Sequence, residues 1–138
     1  MPAYFDSSVV VSLVVGDARA GAALDLWNAD IERVGSVLLG IECTTVLRRM
    51  QMLGDEQRRQ ADERLAVALE EVTQKPVDDD VARLVHLTPA LGGCRALDAV
   101  HLATALYFNT AAEGDLHVCT FDERMADVAS RLGLKVYA

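Results

Sequence analysis

Residues 116–122 read Leu-His-Val-Cys-Thr-Phe-Asp, a short apolar run that ends in a carboxylate. The segment Ala3-Tyr4-Phe5-Asp6 near the start of the chain has the same form. Buried strands of parallel sheets are short apolar runs of this kind, and ligands bind at their carboxyl ends. We therefore expect two buried strands that bring Asp6 and Asp122 to the same edge of a sheet.

Short apolar runs alternate with longer helical patterns along the whole chain. Runs with the length and composition of strands lie at residues 3–5, 31–35, 73–77, 116–120 and 134–137. Helical spacing of apolar residues is found at 7–15, 18–28, 36–50, 55–71, 78–90, 95–107 and 123–132. Strands joined by helical crossovers form parallel sheets with helices on both faces. We therefore predict an α/β fold, a three-layer α/β/α sandwich around a mostly parallel sheet. Pro76 indicates an edge strand or the end of a strand at 73–77.

Length and composition are those of one folded domain. The chain has 138 residues, of which 51% are hydrophobic and 25% charged. The longest apolar stretch, residues 9–15, is far shorter than the ~20 residues that cross a membrane. Asp6 and Asp17 flank it, which is unlike a signal peptide. We expect a single domain over residues 1–138, no membrane association and a cytoplasmic location.

The formal net charge of −8 restricts the partners that the protein can have. Proteins that bind long nucleic-acid duplexes without help are usually basic, because phosphate contacts dominate their affinity. Divalent cations bound at an acidic site would offset part of this charge locally. An acidic surface would also suit a basic protein partner.

The cysteines give no sign of a metal or redox site. Cys43, Cys94 and Cys119 are far apart in sequence, and no C-x-x-C pair is present. Cys43 and Cys119 lie in apolar patterns, where a free thiol behaves as a small hydrophobic group. We expect them to fill space in the core.

Two further acids lie near the starts of helical patterns that are otherwise apolar. Glu42 is at the margin of the apolar stripe that residues 39, 43, 46, 47 and 50 form. Asp98 is the only acid between Arg95 and Phe108, on a helix predicted to be buried on nearly every side. Carboxylates are seldom buried without a partner.

Each acid also has a purely structural interpretation, and for Glu42 it is that of a solvated residue on a helix. Asp6 and Asp122 could cap the helices that follow them, and Asp98 could be favoured by the dipole of its helix. Ser7 or Ser8 could cap the first helix instead, which would leave Asp6 free. The hydroxyl of Thr120 could orient a ligand or a water.

Four carboxylates that converge without a nearby run of Lys or Arg require a cation. Oxygen ligands of this kind suit Mg²⁺ or Mn²⁺, which indicates a metal-dependent phosphoryl-transfer site and favours a nuclease. Without metal the carboxylates should repel each other, and at least one should bind a proton more readily. His101, one turn beyond Asp98, is expected to be a core histidine bonded to backbone rather than a general base. A Ser–His–Asp hydrolase is not expected, because the sequence lacks the G-x-S-x-G motif that such enzymes need.

Four segments in order resemble the PIN-domain ribonucleases, and more narrowly the VapC-type toxins of bacterial toxin–antitoxin pairs. They are Tyr4-Phe5-Asp6-Ser7-Ser8, Glu42 with Val46-Leu47-Arg48-Arg49, Leu97-Asp98-Ala99-Val100-His101-Leu102-Ala103-Thr104-Ala105, and Thr120-Phe121-Asp122. The resemblance covers the whole chain. Ser7 stands where the first motif often has Thr, a minor departure because either residue supplies a hydroxyl.

The resemblance implies a fold, an activity and a set of site residues. It implies an α/β/α sandwich, endoribonuclease activity with Mg²⁺ or Mn²⁺ as cofactor, a VapB-type antitoxin as partner, and a homodimer. The catalytic residues that it implies are Asp6, Glu42, Asp98 and Asp122. Ser8 and Thr120 would support them, and Asp6, Asp98 and Asp122 would hold the metal.

Two other classes of protein remain as alternatives. A catalytically inert PIN-fold protein-binding module would be expected to lose some of the four acids, and all are present. A receiver-type phosphoacceptor domain would need paired acids after the first strand and a lysine after the last, which Ser7-Ser8 and Lys135 fit poorly. Metal titration would separate the inert module from either enzyme-like alternative.

Overall fold

A parallel sheet forms the middle layer of the computed structural model, which describes residues 1–30 and 32–137. Its strands are β1 (Ala3–Phe5), β2 (Arg33–Ser36), β3 (Val72–Lys75), β4 (His117–Cys119) and β5 (Lys135–Tyr137). They are hydrogen-bonded in the order β3-β2-β1-β4-β5, and every pairing is parallel. The predicted α/β class is confirmed, and β3 lies at an edge, which is one of the two placements that Pro76 indicated.

Helices cover both faces of this sheet. They are α1 (Ser7–Val15), α2 (Ala20–Ala29), α3 (Leu38–Arg49), α4 (Asp55–Glu70), α5 (Asp79–Leu87), α6 (Ala96–Ala111) and α7 (Glu123–Arg131). Helices α1 to α4 pack together on one face, where Phe5 lies in their core. Helices α5, α6 and α7 cover the other face with Tyr4 in the core. The three predicted layers are therefore present.

Adjacent residues of β1 face opposite layers, and this alternation sorts the core. Phe5 is fully buried against Trp27 of α2, with ring centroids 4.9 Å apart. Tyr4 is buried on the other face, against His101 of α6. The strand is consequently apolar along its whole length, as expected for a parallel strand covered on both sides. Asp6 is the first residue beyond it.

Among the helix boundaries that differ from the predicted ones, two have a clear local cause. Ser36 ends β2 rather than opening α3, and its hydroxyl accepts a hydrogen bond from the N–H of Leu38 at 3.1 Å. The helix predicted at 78–90 ends at Leu87, and a separate 3₁₀ helix (Pro89–Gly93) follows, because Pro89 cannot donate to a continuing helix. Gly92 and Gly93 lie in that 3₁₀ helix. Ile31, predicted to begin the second strand, lies outside the described residues.

Helix α6 is less buried than its sequence indicated. The helix runs four residues beyond the predicted end at Tyr107, and Leu97 is 50% exposed. Its buried side is formed mainly by Ala99, His101, Leu102, Ala103, Thr104 and Ala105. The expectation of burial on nearly every side was wrong, since α6 has a solvent face in its first turn. That face leaves the neighbourhood of Asp98 open.

Along residues 1–30 and 32–137, none of the helices is both long enough and apolar enough to cross a membrane.

Candidate acidic active site

Asp6 follows β1 directly and caps helix α1. Its backbone is extended (φ −95°, ψ 175°), and Oδ1 accepts hydrogen bonds from the N–H groups of Ser8 at 3.0 Å and Val9 at 3.4 Å. The expectation that Ser7 or Ser8 would cap α1 was wrong, because both residues already lie within the helix. Asp6 is only 4% exposed, so its carboxylate is a buried and hydrogen-bonded group.

Two hydroxyls complete the environment of Asp6. Ser8 Oγ donates to Asp6 Oδ1 at 2.6 Å and accepts from the N–H of Phe121 at 2.9 Å. Thr120 Oγ1 donates to Asp6 Oδ2 and accepts from the N–H of Asp122 at 3.0 Å. The parallel pairing of β1 with β4 aligns Phe5 with Cys119, which places these residues side by side. Ser8 and Thr120 therefore fix Asp6, and Thr120 links it to Asp122.

The pKa of Asp6 is raised, as predicted for one carboxylate of the set, but for a different reason. Burial is the largest cause, and the hydrogen bonds from Ser8, Thr120 and the N–H of Val9 lower the pKa in part. Repulsion from the other acids does not contribute. The predicted cause was wrong, because the loss of water around this buried carboxylate raises its pKa.

Asp122 and Asp98 lie at the starts of two helices. Asp122 caps α7, its Oδ1 accepting from the N–H groups of Arg124 at 2.9 Å and Met125 at 3.2 Å. Its side chain is exposed, and within the described chain its Oδ2 accepts no hydrogen bond. Asp98 is half-buried in the first turn of α6, where the helix dipole favours a carboxylate.

Asp98 and Asp122 share one cavity of about 140 Å³. Two arginines, Arg95 and Arg124, line the same cavity and are exposed. Neither forms an ion pair with a residue that the structure describes. Arg95 and Arg124 were not predicted, because two single arginines do not form a basic run in the sequence. The sequence signal for them is their position: Arg95 lies three residues before Asp98, and Arg124 lies two residues after Asp122.

Glu42 is held by a histidine from the opposite layer. His101 Nε2 is hydrogen-bonded to Glu42 Oε1, and His101 Nδ1 is hydrogen-bonded to the hydroxyl of Tyr4 at 2.6 Å. Tyr4 and His101 are each 1% exposed, whereas the side chain of Glu42 is 22% exposed. His101 is a core histidine as predicted, but the predicted backbone partner was wrong. Both of its nitrogens bond to side chains.

The charges of Asp6 and Glu42 raise the pKa of buried groups near them. Burial raises the pKa of the Tyr4 hydroxyl well above its ordinary value, and the charges of Asp6 and Glu42 raise it further. Burial, again with Glu42 and Asp6, raises the pKa of Cys43 to about 12. Cys119 is likewise buried, with its pKa raised to about 12. These two cysteines are protonated and unreactive core residues, as the sequence indicated.

The four acids do not form a ready-made metal cage. Over the described residues, no three His, Cys, Asp or Glu side chains lie together as a metal-binding group. Asp98 and Asp122 share a cavity, Asp6 is linked to Asp122 through Thr120, and Glu42 is bonded to His101. The available donors are carboxylate oxygens without a thiolate or paired imidazole, a set that fits Mg²⁺ or Mn²⁺.

The sequence pattern of the PIN domain matches residues 3–131, nearly the whole chain. The chain belongs to the PIN-domain family. It is 36% identical over 141 residues to Ribonuclease VapC46 of Mycobacterium tuberculosis, covering 98% of this chain and 95% of that protein. The resemblance to PIN-domain proteins of the VapC type is thereby confirmed.

Solved structures with the same PIN fold include three bacterial proteins. FitAcB from Neisseria gonorrhoeae has a TM-score of 0.71 at 19% identity, covering 99% of this chain and 96% of its own. A toxin–antitoxin complex from Klebsiella pneumoniae has a TM-score of 0.69 at 20% identity, and the match covers 99% of this chain and 96% of that one. VapC20 from Mycobacterium tuberculosis is described as a Sarcin-Ricin loop cleaving toxin. Its TM-score is 0.64 at 22% identity, and the match covers 91% of this chain and 93% of that one. At these identities the likeness shows the fold.

Replacing Thr120 with Val should destabilise the metal-free protein by about 1–3 kcal/mol, because a buried Asp6 oxygen and the Asp122 N–H would lose their partner. Burial holds the folded-state pKa of Asp6 above its unfolded value. Its ionisation therefore costs stability as the pH rises through the folded-state pKa. Only ionised Asp6 depends fully on the hydroxyl donor, so the loss should grow over that pH range.

Urea unfolding between pH 4 and pH 7 in chelator-treated buffer measures this effect. Thr120→Ser is the matched control, because it keeps the hydroxyl and should lose less stability at every pH. Equal losses for the Val and Ser variants across the range would show that the hydroxyl does not hold Asp6.

Proposed function

We propose that this PIN-domain protein is a metal-dependent endoribonuclease that hydrolyses RNA phosphodiester bonds and acts as the toxin of a type II toxin–antitoxin pair. The observation that carries this proposal is the cavity beside the carboxyl end of β4, where Asp98 and Asp122 meet. The relative that is 36% identical to this chain is named a ribonuclease. An enzyme that acts on cellular RNA would work in the cytoplasm.

The metal-holding residues that we propose are Asp98, Asp122 and Asp6. Asp98 and Asp122 present carboxylate oxygens to one cavity, and Thr120 ties the carboxylate of Asp6 to the backbone of Asp122. Bound Mg²⁺ or Mn²⁺ would supply an activated water and stabilise the charge that develops on the phosphate. The chain supplies positioning: Ser8 and Thr120 fix Asp6, and the N–H groups of α7 fix Asp122.

Arg95 and Arg124 give this acidic protein a means of holding a phosphate. Both are exposed on the cavity that contains Asp98 and Asp122, and both lack an ion-pair partner in the described chain. Guanidinium groups bind phosphate oxygens through paired hydrogen bonds. The net charge of −8 opposes general binding of nucleic acid, so these arginines would favour contact at the site itself.

The partner that we propose is a VapB-type antitoxin bound to a toxin homodimer. An arginine of the antitoxin would find complementary carboxylates in the acidic cavity and would compete with metal and RNA there. Several large apolar side chains are exposed, among them Ile41 at 61% and Met52 at 85%. Apolar surface of this kind suits contact with another chain. The structure from Klebsiella pneumoniae described above is titled a toxin–antitoxin complex.

Removal of divalent metal should abolish RNA cleavage, because the carboxylates alone offer neither an activated water nor a positive charge for the phosphate. The measurement is cleavage of a labelled RNA after exhaustive EDTA treatment, followed by dialysis and addition of Mg²⁺ or Mn²⁺. Addition of either ion should restore cleavage. Activity that survives EDTA would overturn the metal-dependent mechanism.

Asp98→Asn should lower cleavage more than about 100-fold, since even outer-shell changes at metal sites cost 10–100-fold. The fold should persist within about 1 kcal/mol, because weaker attraction to the helix dipole is offset by relief of repulsion with Asp122. Asp25→Asn, at an exposed position on α2, is the matched control and should cleave normally. An unfolded Asp98→Asn protein, or one with wild-type activity, would make Asp98 structural.

Co-expression with the product of the neighbouring gene should yield a stable complex that does not cleave RNA. Size-exclusion chromatography with light scattering should show a homodimer of this chain alone and a larger assembly with the partner. The inactive Asp98→Asn protein serves as a non-toxic bait that keeps Asp122 in the cavity and all other surface residues. A monomer at micromolar concentration that ignores the neighbouring product would remove the toxin–antitoxin role and leave the nuclease role standing.

A further inference from the structure

A continuous series of hydrogen-bonded side chains runs from the core to Glu42. Tyr4 begins it on β1, His101 continues it from α6, and Glu42 ends it on α3. Helix α3 packs in the layer that contains Phe5, whereas α6 packs in the layer that contains Tyr4. Glu42 and His101 therefore meet from opposite faces of the sheet.

Donor and acceptor chemistry decides which atom carries the proton in each of these hydrogen bonds. An ionised Glu42 can only accept, so the proton between Glu42 and His101 lies on His101 Nε2. Tyr4 can donate to Nδ1 of a neutral imidazole or accept from Nδ1–H of a charged one. In both protonation states of His101, its Nε2–H donates to Glu42. The contact does not depend on which state is populated.

Glu42 has little else to hold it in place. It lies at the margin of α3, partly exposed, and within the described residues the only hydrogen bond of its carboxylate is to His101. Without that bond the flexible side chain could sample several rotamers towards solvent. His101 is itself fixed, because it is fully buried and its second nitrogen is bonded to Tyr4.

We propose that His101 is a positioning residue of the nuclease reaction, which holds the carboxylate of Glu42, one of the four acids, in one orientation while Tyr4 holds His101. This inference rests on the nuclease function proposed above. His101 is 1% exposed, so it would act only through Glu42. Small displacements of a catalytic group are enough to slow a reaction strongly.

Two substitutions of similar size separate positioning from packing. In His101→Gln, the amide nitrogen can replace Nε2 and still donate to Glu42. In His101→Asn, the shorter amide can replace Nδ1 and reach Tyr4 but not Glu42. We expect His101→Asn to lower kcat about 10–100-fold with KM nearly unchanged, and His101→Gln to keep most of the activity.

The double variant with Glu42→Gln provides the decisive comparison. If His101 acts through Glu42, His101→Asn should cost no more than about 2–3-fold when Glu42 is already changed, since effects of coupled residues do not add. Thermal unfolding is recorded for each variant to confirm that it is folded. An equal loss of activity from His101→Asn in both backgrounds, or equal activity of the Asn and Gln variants, would overturn the positioning role.

A measurement on the metal-free protein is independent of activity. The chain has three histidines, so ¹⁵N-labelled imidazole signals can be assigned with His86→Gln and His117→Gln. His101 should carry a proton on Nε2, and Glu42→Ala should change its signal and leave the others in place. An Nε2 of His101 without a proton would overturn the inference.

Failure of the nuclease function can be told apart from failure of this inference. A folded wild-type protein that cleaves no RNA with Mg²⁺ or Mn²⁺ would overturn both, while the imidazole signals would still report the contact. A wild type that cleaves RNA, together with a His101→Asn variant that cleaves equally well, would overturn the positioning role alone.

Discussion

The buried carboxylate of Asp6 is the group on which the rest of the site depends. A carboxylate that is 4% exposed is stable only if hydrogen bonds replace the water that it loses. Its donors come from the first turn of α1 and from Thr120, which is 114 residues away in the sequence. Parallel pairing of β1 with β4 brings these segments together. The pairing therefore fixes Asp6, and through Thr120 it also fixes the start of α7.

The architecture was predictable because its signals are local. Short apolar runs separated by amphipathic helices indicate parallel strands, and the acids that follow those runs must lie at the carboxyl edge. Asp6 and Asp122 were located in this way. The boundaries that failed were decided by single side chains, such as the Ser36 hydroxyl that accepts from the N–H of Leu38. A sequence pattern does not reveal which of two neighbouring residues supplies such a bond.

The partners of the acids were not predictable, because they depend on contacts between layers. Glu42 and His101 lie on helices of opposite faces, and no periodicity within either helix relates them. A histidine with apolar neighbours signals burial, but its sequence context does not distinguish a backbone carbonyl from a carboxylate as its partner. Arg95 and Arg124 were missed for a similar reason, since two single arginines far apart in the chain become neighbours only when α6 and α7 pack.

The four acids fall into two pairs with different surroundings. Asp6 and Glu42 are held by hydrogen bonds to other side chains, the first to Ser8 and Thr120 and the second to His101. Asp98 and Asp122 instead line the open cavity. Charges in the interior must be paired or hydrogen-bonded, whereas charges at a cavity can remain available to a ligand. Asp6 and Glu42 are thus fixed by their hydrogen-bond partners, whereas Asp98 and Asp122 keep carboxylate oxygens open to a ligand.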